Sequence, residues 1–152
     1  MRPTPTPAAG TVPVAVHGFP HRTPIQLLAL ARHGLAEAER LDSDGLRYAT
    51  AHLAALRAAA AVLAARARPA PGRRNRVSNV WSLLTLVAPD LSEWATYFSA
   101  SAAKRAAAEA GIPRVVSARE ADDLVRAATS FVDAVEDALG IARPFTFDEL
   151  VA

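Results

Sequence analysis

Residues 117–140, "SAREADDLVRAATSFVDAVEDALG", carry the clearest helical pattern in the chain. Leu124, Val125, Ala128, Phe131, Val132, Val135 and Leu139 recur at helical spacing. Asp122, Asp123, Arg126, Asp133 and Asp137 fall on the opposite side. Ser117-x-x-Glu120 is a capping box, in which each side chain satisfies a backbone N–H that the first helical turn leaves free. Gly140 is a C-terminal stop. These signals predict an amphipathic helix over 118–139.

The same grammar extends outward. Thr23-Pro24 reads as an N-cap followed by proline at the first helical position, and predicts a helix over about 24–41. Its apolar side holds Leu27, Leu28, Leu30, Ala31, Leu35 and Leu41; Gln26, Arg32, His33, Glu37 and Arg40 take the polar side. "LDSDG" (41–45) is a short connector, and a second helix is expected over about 45–68 with Leu46, Leu53, Leu56, Ala60 and Leu63 as its stripe. "RPAPGRRNR" (68–76) ends it with proline and glycine. A third helix starts near Ser78 and is broken at Pro89, after which Asp90-x-x-Glu93 reads as a capping box that restarts it. That part carries Trp94, Tyr97 and Phe98 and runs to about Ala110, where Gly111-Ile112-Pro113 stops it. No stretch alternates as a strand does. The fold class is all-α, an up-and-down bundle of four to five helices.

Domain organisation follows from the flanks. Residues 1–22 hold five of the eleven prolines and no apolar period, and are expected to be a disordered arm. Residues 23–140 form the bundle. Residues 141–152 are a tail whose Phe145 and Phe147 are expected to pack back or to dock a partner.

Composition narrows the function classes. The chain has no cysteine, which excludes disulfides and thiolate metal sites and suits a cytoplasmic location. The longest weakly polar run, Ala58–Ala65, is far short of the ~20 residues that span a bilayer, so no membrane association is expected. A signal-peptide pattern is absent from the first residues. P-loop, G-x-S-x-G, dinucleotide and H-E-x-x-H motifs are also absent, so neither a cofactor nor a metal is expected. The four aspartates of the last helix read as a solvated face. Lys104 is the single lysine among seventeen basic residues, a bias expected of a GC-rich, actinobacterial genome. The net charge of +2 hides an asymmetry. Gly45–Pro89 holds seven arginines and no acid, whereas Ala118 onward holds eight acids and three bases. This fits an anionic partner, or two segments that face each other or pair between subunits.

Three stretches carry a resemblance: "LLALARHGLAEAERLDSDGLRYATAHLAALRAAAAVLAARARP" (27–69), "VWSLLTLVAPDLSEWATYFSASAAKRAAAEAG" (80–111) and "SAREADDLVRAATSFVDAVEDALG" (117–140). In order and character they resemble an actinobacterial subfamily of HEPN domains, over about Pro24–Gly140. The resemblance implies a compact helical bundle, often a homodimer. Many HEPN members are metal-independent ribonucleases, with an arginine followed four to six residues later by histidine at the dimer interface. In them histidine moves a proton and arginine stabilises charge on phosphate. Other members lack the motif and serve as binding or assembly modules.

Arg47 and His52 supply an R-x4-H spacing here and are the candidate catalytic pair. Four histidines and three allowed spacings, at this arginine frequency, yield about 1.3 matches by chance. The pair opens the second helix, whereas the resemblance implies the last core helix, and no histidine follows His52. Five residues of helix also splay the two side chains by roughly 140°. The structural alternative is a solvated arginine at a helix start and a boundary histidine bonded to a neighbouring helix. Arg66, Arg68, Arg73, Arg74 and Arg76 are candidate nucleic-acid-binding residues; the alternative is a solvated loop. Without aromatics between them they lack stacking platforms for single strands. The sequence thus predicts a non-catalytic interaction or RNA-associated module with an RNA or protein partner. A ribonuclease built on Arg47 and His52 is the alternative.

Overall fold

The computed structural model describes residues 22–66 and 79–141. Arg68, Arg73, Arg74 and Arg76, with the C-terminal phenylalanines and nearly all of the N-terminal arm, lie outside the described residues. Five α-helices follow one another: α1 (Pro24–Arg40), α2 (Asp44–Arg66), α3 (Val80–Val87), α4 (Ser92–Glu109) and α5 (Ala118–Leu139). A 3-10 turn, Pro89–Leu91, joins α3 to α4. No strand occurs among the described residues.

Local chemistry sets most of the ends. In α1, Thr23 Oγ1 accepts from the Gln26 N–H at 3.2 Å, and Gln26 Oε1 accepts from the Thr23 N–H at 3.0 Å. Ser117 and Glu120 repeat that reciprocal cap on α5 at 3.1 and 3.2 Å. Gly140 ends α5 in the left-handed region at φ 67°, where a side chain would be strained. Ser43 Oγ accepts from the Leu46 N–H at 3.3 Å at the start of α2.

The restart after Pro89 differs from the sequence expectation. Asp90 does not cap α4: it lies inside the 3-10 turn, and the residue before α4 is Leu91, whose side chain makes no cap hydrogen bond. The Asp90 carboxylate turns instead to Arg66, 3.7 Å away. A residue already in helical conformation cannot offer the extended geometry that capping needs.

Polar ties give the directions. Arg47, at the start of α2, reaches the Leu41 carbonyl just past α1 and Asp122 at the start of α5. Arg66, at the end of α2, donates to the Ala138 carbonyl at the end of α5. Lys104, late in α4, pairs with Glu120, early in α5. Helices α1, α2, α4 and α5 therefore alternate up and down, with α3 as a short side element.

Helix α2 is the axis, and α1, α3, α4 and α5 all pack on it. Its buried face corrects the sequence reading. Leu46 is 52% exposed, and Leu53, Leu56 and Ala60 are only half-buried; of the expected stripe Leu63 alone is buried. The core takes Tyr48, Ala51, His52, Ala55, Ala58, Ala59 and Val62. Alanine lets neighbouring backbones approach closely, which a central helix needs on several sides, and the leucines fill the rim. At Gly34 of α1, an added Cβ would sit 3.6 Å from the Cβ of Ala54, which shows how near the α1 and α2 backbones run. By length and composition α2 is long and apolar enough to cross a membrane, contrary to the expectation drawn from the Ala58–Ala65 run. Its place at the centre of the bundle accounts for that composition.

Candidate functional site

His52 stands at the junction of three helices. Its ring is 1% exposed. Nε2 lies 3.0 Å from the Phe98 carbonyl of α4, and since a carbonyl only accepts, Nε2 carries the proton. The ring meets Trp81 of α3 and Phe98 edge to face, each with centroids 5.9 Å apart. Nδ1 is buried and has no hydrogen-bond partner. Burial lowers the histidine pKa below its ordinary value; the Phe98 hydrogen bond opposes this, Arg105 adds to it and Glu109 opposes it. His52 is thus a neutral core residue and not the boundary residue the sequence suggested.

Arg47 is also not a solvated side chain. It is 15% exposed, and its guanidinium pairs with Asp44 at 3.1 Å and Asp122 at 3.0 Å. It also donates to the carbonyls of Leu41 at 3.5 Å and Ala118 at 3.3 Å. These partners tie together the end of α1 and the starts of α2 and α5. The guanidinium lines a shallow cleft of about 290 Å³ with Glu39, Asp122, Val125 and Arg126. His52 does not line that cleft. The structure holds the two members of the R-x4-H pair in separate surroundings, one on a surface ion network and one inside the aromatic core.

Of the five arginines expected to bind nucleic acid, Arg66 falls within the described residues. It is one-third exposed, donates to the Ala138 carbonyl at 2.9 Å and lies 3.7 Å from Asp90. The lopsided charge of the sequence is thus partly answered within the chain, where Arg47 of α2 pairs with Asp122 of α5.

Sequence reasoning missed two features. Arg32 of α1, assigned to a polar side, forms ion pairs with Asp133 and Glu136 of α5. Burial disfavours its charge, but hydrogen bonds to both carboxylates more than offset this and raise its pKa. Glu136 itself is 4% exposed. The signal was present, since Glu136 adjoins Val132, Val135 and Leu139 on the apolar side of α5. The second feature is a surface of α4 and α5, where Glu93, Trp94, Tyr97, Arg126, Ala127 and Ser130 line a cleft of about 400 Å³. Trp94 stacks towards Phe98 and Tyr97 meets it edge to face, so this surface continues the core aromatics outward. Burial raises the Tyr97 pKa, with Tyr48 and Asp123 adding to it, so the phenol is neutral at physiological pH.

No group of three or more His, Asp or Glu side chains among the described residues is placed to hold a metal ion. No curated protein and no solved structure matches the chain. Residues 38–136, from the last turn of α1 to late α5, match the SAV_6107-like HEPN family, and the all-α bundle is the architecture of that family. On that match the chain belongs to the SAV_6107-like HEPN family.

Proposed function

We propose that this chain is a non-catalytic HEPN bundle, a cytoplasmic interaction module that self-associates and does not cut RNA. The burial of His52 carries the reading. A general acid or base must reach the proton it moves, directly or through one water. His52 is 1% exposed, and its only proton is bonded to the Phe98 carbonyl. Arg47 is held by two carboxylates and two carbonyls. Opening both would cost several of the contacts that join α2 to α1, α4 and α5.

Self-association would use the surface around Trp94 and Tyr97. Aromatic side chains already backed by a core lose little freedom when a partner covers them, and a flanking Glu93 and Arg126 can pair across a twofold axis.

The test is incubation of purified protein with structured and single-stranded RNA in EDTA. No cleavage is expected. Cleavage that disappears in both Arg47→Ala and His52→Ala, with helicity retained, would establish the ribonuclease reading instead. Sedimentation at tens of micromolar is expected to show a dimer, and a monomer would remove that claim. RNA association would weaken with salt and on neutralising Arg73, Arg74 and Arg76; salt-independent binding would count against it.

A further inference from the structure

Helix α3 is apolar on two sides. Trp81, Leu84 and the following Ala88 turn inward and are buried. Leu83, Leu86 and Val87 gather within about 100° of arc on the other side. Leu86 is 76% exposed, the most exposed large hydrophobic residue among those described, and Leu83 and Val87 are only partly covered. Ser82 and Thr85 are the only polar side chains in this eight-residue helix. This stripe leaves apolar surface beside the packed core that a covering segment would bury.

The neighbourhood identifies what covers it. The chain leaves the described structure at Ile141, partly buried against the core just past α5. Arg66 ties that exit to the end of α3. Its guanidinium donates to the Ala138 carbonyl at 2.9 Å and lies 3.7 Å from Asp90, three residues beyond Val87. The residues that follow, "ARPFTFDELVA" (142–152), include Phe145, Phe147, Leu150 and Val151. Eleven extended residues reach about 36 Å, whereas α3 is about 12 Å long. Phe145 and Phe147 stand four and six residues past Ile141, an extended reach of about 14 and 21 Å from an exit that Arg66 links to the end of α3. A short tether also gives the chain's own tail a high effective concentration over any second copy. We propose that residues 142–152 dock on the outer side of α3 of the same chain, with Phe145 and Phe147 covering Leu83, Leu86 and Val87.

The absence of native cysteine makes the test direct. Full-length chains carrying Leu86→Cys with Phe145→Cys, or Leu86→Cys with Phe147→Cys, are oxidised mildly at low micromolar concentration. The comparison chain carries Glu39→Cys with Phe147→Cys, Glu39 being exposed at the opposite end of the bundle. At least one Leu86 pair is expected to form an intramolecular disulfide ten times faster than the comparison. Equal rates, or disulfides only between chains, would overturn the proposal. Because cysteine replaces a phenylalanine in those chains, hydrogen exchange supplies a second readout. Phe145→Ser with Phe147→Ser is expected to speed amide exchange in α3 about tenfold and leave α1 unchanged; unchanged exchange in α3 would overturn it too.

Discussion

His52→Leu gives the sharpest test of how this core works. Wild-type His52 is neutral in the folded chain, with its pKa lowered by burial, against about 6.5 for an unfolded histidine. The unfolded state therefore binds the proton first as pH falls. His52 leaves stability untouched above pH ~6.5, and stability is lost as pH falls from there towards the lowered folded pKa. The slope is about 1.4 kcal/mol per pH unit, so from pH 7.5 to 5.0 the loss reaches up to about 2 kcal/mol. For a bundle of this size that corresponds to roughly 6–10 °C in melting temperature. Leucine cannot take the proton. It forfeits one hydrogen bond to Phe98, worth about 1 kcal/mol, but also removes the unpartnered Nδ1, whose burial costs about as much. The Phe98 carbonyl lies mid-helix and keeps its helical bond. The variant is expected to match wild type near pH 7.5 within about 1 kcal/mol and to be the more stable at pH 5. Urea unfolding at half-unit steps of pH measures both, and the difference between the two curves removes contributions shared with the carboxylates. If the variant kept the wild-type acid slope over pH 5–7, the assignment of His52 as a neutral buried group would be wrong.

Three further outcomes follow from single contacts. Gly34→Ala is expected to stabilise by about 0.5–1 kcal/mol, because the new Cβ meets Ala54 and Arg57 at ordinary distances and helix propensity rises; a lower melting temperature would refute the spacing of α1 and α2. Gly140→Ala is expected to destabilise by about 1 kcal/mol, since that residue sits at φ 67°. Arg32→Met strands a carboxylate that is 4% exposed and should cost about 2–3 kcal/mol at pH 7, below the about 3–5 kcal/mol of a fully buried broken pair because Arg32 is one-third exposed. Arg32→Met combined with Glu136→Leu should recover at least half of that loss in chemical denaturation; no recovery would show that Glu136 does not need the arginine.

Legibility in the sequence tracks how local each cause is. The starts of α1 and α5 could be read because their signals are local: Thr23 stands directly before Pro24, and Ser117 caps with Glu120 three residues on; the reciprocal bond from Gln26 to Thr23 came from the structure. The buried side of α5 could be read because that helix packs from one direction, so apolar and charged residues separate cleanly around it. Helix α2 has no such separation. It is covered by four other helices, and its core side is built from alanine, which gives little contrast against leucines at the rim. Choosing the leucines left His52 at the edge, when it lies at the centre. Arg47 looked solvated because its carboxylate across the bundle, Asp122, is 75 residues away in the chain. Asp90 looked like a cap because the cap pattern is short, and its actual neighbour Arg66 comes from another helix.

Spacing and segment character were enough for the all-α class, the helix order, the N-cap of α1, the capping box of α5 and the family. Tertiary structure alone decided which face of α2 is core, that Arg47 serves an ion network, and that the histidine of the R-x4-H pair is a buried neutral ring. Burial and ion pairing are properties of neighbours, and in a bundle most neighbours come from distant parts of the chain.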